Sequence, residues 1–295
     1  MITVCIGDGL GNQMFQYAFY LSMKKRYKSE TVNVDIFNFY GSCNNHNGYE
    51  LERVFNLHPE RCSKRGAILL ADYYPLNFRK HPILNTFFAI KSALFGRKQS
   101  FIIQDNATEY YDEVYELDRL HSYMLRGNWV NEKYFHDIRD EVVSAFNFPE
   151  ITDKHNLEIE ESIRLRESVG IHVRRGDYIH NGYNLSDEYY INAVKEIEVR
   201  LKGKLVFFVF SDDIDYCKSL FGSDDRFVYV NNNHGNDSFR DMQLMSLCKH
   251  NIIANSTFSF WGAYLNRNNN KIVIAPKYSM GKRQNPYACE GWILL

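Results

Sequence analysis

MITVCIGDGLGNQMFQYAF, Met1–Phe19, runs from an apolar, β-rich segment through three alternating glycines into a stretch with helical spacing. Ile2–Ile6 reads as a strand, Gly7–Gly11 as a turn and Gln13–Tyr27 as a helix, with Phe15, Ala18, Phe19 and Met23 near one face. A second β-rich run, Thr31–Ile36, follows. A strand, a turn, a helix and a strand in so short a span make a βαβ unit, which implies a parallel sheet. The turn is close to G-x-G-x-x-G, whose glycines let a backbone approach a pyrophosphate. It departs at the third glycine, which falls on Asn12. Asp35, after the second strand, imitates the acid that such folds place on a ribose hydroxyl.

The second half repeats the alternation more openly. Strand-like runs cover Ser168–Val173, Lys204–Ser211, Asp225–Val230, Asn251–Asn255 and Lys271–Pro276. Between them, Ser186–Leu201 reads as a helix capped by Ser186, with acids in its first turn. Ser238 and Asp241 suggest a capping box for the next helix, and Ser256–Leu265 reads as the last. Lys204–Ser211 is apolar without a break, as a strand covered on both faces must be. The expectation is a five-strand, doubly wound parallel α/β array. The middle, Asn38–Phe148, looks irregular, and Phe146–Asn156 looks like a boundary, giving domains 1–150 and 151–295.

Composition narrows the function. The chain has 295 residues, 45% hydrophobic and 24% charged, with net charge −1, so it lacks the basic field of a nucleic-acid binder. Cys5, Cys43, Cys62, Cys217, Cys248 and Cys289 form no CxxC and no zinc-ligand spacing, and read as mostly buried thiols of a reducing compartment. No window approaches the ~18 apolar residues of a membrane helix, and the N-terminus lacks a charged leader. A cytoplasmic protein is expected. Ile83–Lys98, apolar with a basic end, is either an internal helix or a segment lying on a membrane surface, as in peripheral contact at an inner membrane.

Three turns carry the chemistry. GIHVRRGDY, Gly170–Tyr178, follows a buried strand and therefore sits at the carboxyl edge of the sheet. Arg174 and Arg175 offer planar forks suited to phosphate, Asp177 would orient one of them, and His172 would face away from Val173 toward a base or ribose. The bland alternative is a structural ion-pair cluster. VFSDDIDY, Val209–Tyr216, ends the next strand. Asp213 and Asp215 could be metal ligands of D-x-D type. A single carboxylate accepting two N–H bonds from a guanine edge fits better, because the Arg pair already neutralises a diphosphate. IIANSTFSFW, Ile252–Trp261, ends a strand and opens a helix whose free N–H groups suit an anion, or are simply capped by Asn255 or Ser256. No Ser/His/Asp triad, reactive cysteine or metal cluster is apparent.

His172-Val-Arg174-Arg175-Gly-Asp177, Ser211-Asp212-Asp213 and Asn255-Ser-Thr-Phe-Ser-Phe-Trp261, in that order, resemble the three motifs of glycosyltransferase family 11. GLGNQMFQYAF (Gly9–Phe19) resembles its N-terminal signature and HNGYELERVF (His46–Phe55) another frequent block. Members are mainly α-1,2-fucosyltransferases. The resemblance implies a GT-B fold: two facing Rossmann-like domains with a cleft between them. It implies inverting, metal-independent transfer of L-fucose from GDP-fucose to the 2-hydroxyl of a β-galactoside or oligosaccharide, as in surface-polysaccharide (O-antigen) synthesis. GDP-fucose is then a substrate, and no cofactor is expected. Arg174, with Arg175, would hold the leaving diphosphate, His172 and Asp213 the guanine, and Ser256, Thr257 and Phe258 the phosphates, with Asn255 also in the donor-binding set. Gly11 would bring Asn12 to the same diphosphate, as the Asn of the similar turn in protein O-fucosyltransferases implies. Arg174, Asn12 and Asp177 are the implied catalytic set, and His46, Glu50 and Trp129 the acceptor-side set. Asp177, Asp8, Glu50 or the leaving phosphate would take the acceptor proton. Two departures stand out: the family's Gly-Gly-Leu-Gly-Asn is here Gly7-Asp8-Gly9-Leu10-Gly11-Asn12, which adds the Asp8 carboxylate, and Gly127-Asn128-Trp129-Val130-Asn131 replaces Gly-Tyr-Trp-Gln-Ser. Transfer of another GDP-activated sugar, or nucleotide-sugar binding without catalysis, would use the same motifs.

Overall fold

The computed structural model describes residues 1–40, 46–71, 82–95, 98–107, 109–279, 285–286 and 288–295, and separates into two units, Met1–Asn147 and Phe148–Leu295. In the first, β1 (Ile2–Cys5) is buried along its length and leads into α1 (Leu10–Arg26) and β2 (Val32–Asp35). Lys24, Lys25 and Arg26 close α1 where its carbonyl dipole favours cations. The region expected to be irregular instead holds α2 (Leu51–Phe55), α3 (Lys64–Leu70), α4 (Pro82–Phe95), β3 (Phe101–Ile103), β4 (Tyr123–Arg126) and α5 (Arg139–Ala145). β3 and β4 are too short for an alternation pattern to emerge from sequence. Among the described residues the strands form a parallel sheet in the order β2-β1-β4-β3. Trp129 is fully buried in this unit, stacked on Phe19 at 4.2 Å and edge-on to Tyr134 at 5.5 Å.

The second unit contains α6 (Lys154–Arg164), β5 (Glu167–Val173), α7 (Gly176–Asn181), α8 (Asp187–Arg200), β6 (Leu205–Ser211), α9 (Ile214–Phe221) and β7 (Phe227–Val230). It continues with α10 (Phe239–Leu247), β8 (His250–Ile252), α11 (Thr257–Tyr264), β9 (Val273–Ala275) and β10 (Ile293–Leu294). The strands pair in parallel in the order β10-β9-β8-β5-β6-β7. The two-residue β10 was not foreseen; nothing in a pair of apolar residues marks a strand. The sheet is covered on both faces. Val169, Ile171, Val173, Phe207 and Val209 pack with Tyr190, Ala193 and Ile197 of α8. Val206, Phe208 and Phe210, one register step over, pack with Ile163 of α6 and Leu244 and Met245 of α10. That is the two-residue period of a strand buried on both sides.

Ser186 caps α8 as expected, its hydroxyl accepting from the Tyr189 amide. The capping box at Ser238 does not form: Ser238 is already helical (φ −57°, ψ −25°), and Asp241 accepts instead from Asn233 at 2.7 Å. Cys5, Cys62, Cys217 and Cys248 are buried thiols and Cys289 is half-buried; Cys43 lies outside the described residues.

Candidate active site

Open α/β sheets bind ligands beyond the carboxyl ends of their strands, where strand order reverses. In the second unit the chain runs outward from β5 through β6 to β7, then returns to β8 on the other side of β5. The reversal therefore falls between β5 and β8. The His172–Asp177 turn leaves β5 there, and Ile253–Ser256 leaves β8. The Ser211–Asp213 turn leaves the adjacent β6. Topology thus gathers the three motifs at one sheet edge.

Both arginines are held by carboxylates. Arg174 Nη2 donates to Asp177 at 2.6 Å, and its Nη1 lies 2.9 Å from Asp212. The Arg175 amide donates to Asp212 at 2.8 Å, and Arg175 Nε to Asp213 at 3.1 Å. The Arg175 guanidinium also lies 3.5 Å from the centroid of the Tyr216 ring. Asp213 caps α9 at the same time, accepting from the Tyr216 amide at 3.1 Å. A guanidinium has five N–H donors, so these contacts orient the two forks without exhausting them. The two side chains remain 32% and 21% exposed, open to a ligand at the sheet edge. Asp212, which touches both arginines, was not among the expected site residues; two acids facing two arginines were the available signal. Gly176 is tied to it, since a Cβ there would lie 2.7 Å from Asp212 Oδ2.

His172 is buried beside these cations, its ring against Phe258 at 5.5 Å. Burial, and then the charge of Arg174, pushes its pKa down to about 3. It is a neutral imidazole at physiological pH, and its Nδ1 has no hydrogen-bond partner among the described residues. A buried ring nitrogen left unpaired costs stability and suits a donor or acceptor brought by a ligand. Asn255, in the third motif, is buried as well: its Nδ2 donates to the Tyr183 carbonyl, and its Oδ1 has no hydrogen-bond partner among the described residues. Ser256 rather than Asn255 caps α11, accepting from the Phe258 amide at 3.3 Å. Thr257 and Phe258 form the first turn, half-buried.

The first unit has its own strand reversal, between β1 and β4, and a cavity of about 450 Å³ opens there. Gly7 and Asp8 line it after β1, Arg126 and Asn128 at and after β4, and Asp105 and His46 complete the rim. Buried glutamines fix these loops. Gln16 takes the Gly7 amide and donates to the Gly127 carbonyl, and Gln13 donates to the carbonyls of Asp8 and Gly48. α1 begins at Leu10, so Gly11 and Asn12 belong to its first turn and not to the preceding loop; Gly11 is buried and Asn12 half-buried. Asp8 is exposed and carries the left-handed φ of 64°. His46 lies over Gly9, where an added Cβ would come within 3.3 Å of the ring. Glu50 is buried, bonded to Arg53 at 2.6 Å, with its carboxyl pKa raised by burial. Trp129, expected on the acceptor side, is core: it has no exposed ring face to offer a sugar, and its neighbours Gly127 and Asn128 line the cavity instead.

The family model "Glycosyl transferase family 11" matches residues 1–294. The chain belongs to that family. It is 30% identical over 307 residues to the O-antigen biosynthesis glycosyltransferase WbnK of Escherichia coli, covering 99% of each. It is 31% identical over 287 residues to an alpha-1,2-colitosyltransferase of Escherichia coli, covering 94% of this chain and 91% of that one. Among solved structures, NodZ alpha-1,6-fucosyltransferase soaked with GDP-fucose superposes with a TM-score of 0.53 at 14% identity, over 90% of this chain and 91% of that one. At that identity the likeness concerns fold alone. The family 11 chain is a glycosyltransferase of two parallel α/β units, the GT-B class.

Proposed function

We propose that this family 11 glycosyltransferase moves L-fucose from GDP-fucose to the 2-hydroxyl of a β-galactoside, with inversion and without a metal, in building a surface polysaccharide. The observation that carries the reading is the Arg174–Arg175 pair at the β5/β8 reversal, oriented by three carboxylates beside a neutral, unpaired His172. Breaking the sugar–phosphate bond builds negative charge on the departing diphosphate. Preorganised guanidiniums and the first amides of α11 stabilise that charge where it develops. His172 and Asp213 meet the guanine, and Asn255, Ser256 and Thr257 the phosphates. Asn12 of the first unit is assigned to the diphosphate as well, and that unit's cavity to the acceptor. That cavity mixes acids, amides, an imidazole and a guanidinium, a lining suited to the hydroxyls of a neutral sugar. Asp177 orients Arg174, and the leaving phosphate oxygen takes the acceptor proton. The enzyme works peripherally, at a membrane that carries its acceptor.

The likeness to an alpha-1,2-colitosyltransferase favours a second donor reading, GDP-colitose, with the same linkage. Incubation with GDP-fucose, GDP-colitose or GDP-mannose and a panel of β-galactosides, followed by NMR of the product, tests both. A new bond at the galactose 2-position from GDP-fucose supports the proposal. Turnover only with another GDP-sugar, or a bond elsewhere on the ring, rejects it.

A further inference from the structure

Helix α4 (Pro82–Phe95) has no buried side chain among those described. Its sequence is nevertheless apolar. Ile83 is 83% exposed, Phe87 62%, Ile90 55% and Leu94 71%. Their spacing of four, three and four residues sets them within about 60° of the helix circumference. A contiguous apolar stripe of this kind is not what a protein leaves in water without a use for it.

Charge identifies what it meets. From residue 73 to 104 the sequence has no Asp or Glu and five basic residues, Arg79, Lys80, Lys91, Arg97 and Lys98, in a chain whose net charge is −1. Lys91 is half-buried beside the stripe, one residue past Ile90, and Lys98 is anchored to the carbonyls of Leu69 and Ala71. An apolar face with Lys91 beside it, in a stretch of sequence that carries five cations and no acid, complements an anionic lipid surface. No helix among the described residues is long and apolar enough to cross a membrane. We infer that α4 is an interfacial docking helix that lays Ile83, Phe87, Ile90 and Leu94 into the headgroup–acyl boundary of anionic lipid. This deepens the peripheral placement proposed above and rests on it, but it involves neither the donor motifs nor the cavity.

Vesicle flotation of the full chain, without donor or acceptor, tests the inference. The protein is expected to float with phosphatidylcholine vesicles containing phosphatidylglycerol, and to stay behind with phosphatidylcholine alone. Phe87→Gln with Leu94→Gln should lower binding by roughly tenfold or more. Lys91→Glu should lower it by about fivefold or more. Both variants alter exposed or half-exposed positions, and both should transfer sugar to a water-soluble acceptor at the parental rate. Equal flotation of parent and double variant would overturn the inference, as would no flotation with either vesicle. A parental dimer in sedimentation that the double variant dissolves would assign the stripe to a second copy instead. Because binding is read without turnover, a wrong donor assignment leaves this outcome intact.

Discussion

Arg174→Ala should lower kcat/KM for the donor by about 10²–10³-fold. The guanidinium lies 2.6 Å from Asp177 and 2.9 Å from Asp212, and Arg175 lies 3.1 Å from Asp213. The cluster thus sets two formal positive charges against three negative ones. Alanine leaves one cation facing three carboxylates, where the proposed donor's diphosphate would gain charge. A unit charge about 4 Å away is worth about 4 kcal/mol at an effective dielectric of about 20, nearly three decades in rate. The side chain is 32% exposed, and solvent screening moves the loss toward the hundredfold end. Asp212→Asn in the alanine background removes one stranded carboxylate and keeps the acceptor for the Arg175 amide, and should restore about tenfold. Initial rates at fixed ionic strength, with GDP affinity by calorimetry, measure both. An alanine variant within about threefold of the parent in rate and in GDP affinity would remove Arg174 from the donor site. A double variant no better than the single would show that Asp212 does not face the diphosphate.

The buried His172, held near pKa 3, makes a signed pH prediction. The unfolded chain takes up its proton near pH 6.5 and the folded chain does not, so its contribution is full above that pH. It is lost as pH falls toward 3, at ~1.4 kcal/mol per unit. Asp241, pushed up to about 7 by burial, tilts stability the other way, since its contribution is lost as pH rises through 7. The two windows overlap, so urea unfolding of His172→Phe and parent should be compared between pH 7 and 5, and parallel slopes would contradict the assignment. Trp129→Ala should cost about 3–5 kcal/mol through the cavity it opens against Phe19 and Tyr134; a loss under about 1 kcal/mol on thermal unfolding would deny it a core role. Transfer should survive dialysis against EDTA at full rate, whereas strict dependence on manganese would return Asp213 and Asp215 to the role of metal ligands.

The second unit was legible where β5, β6 and β8 each end in a contiguous cluster with a strong local signal. β5 and β6 are seven-residue strands, β6 apolar up to its final Ser211, and the arginines and aspartates follow within four residues of their ends. What escaped was pairwise: that Asp212 rather than Asp213 bridges both arginines, and that Asp241 serves Asn233 instead of a helix cap. Side-chain partners of that kind depend on φ, ψ and strand register, which periodicity does not report. The glycine loop was legible in type and wrong in detail. The left-handed backbone falls on Asp8, at the position where the family has glycine, and aspartate tolerates that region better than most residues.

The cavity of the first unit shows where sequence reasoning stops. Its lining comes from the ends of β1, β3 and β4, from Gln16 of α1 and from residues 38, 39 and 46, at most four residues from each. No one segment contains enough of it to look like a motif. Trp129 entered the acceptor-side set through the resemblance of the Gly127–Asn131 block to a family block, yet its φ is 52° and its ring lies in the core. Gly127 explains the turn: a Cβ there would lie 2.6 Å from Gln104, whose side-chain oxygen accepts from the Asn128 and Trp129 amides. The same glutamine that buries Trp129 therefore presents Asn128 to the cavity. Gly127→Ala should disturb both at once, lowering stability and weakening acceptor use while GDP affinity on the other unit stays unchanged. A loss of GDP affinity equal to the loss of acceptor use would show that this loop does not act through the acceptor.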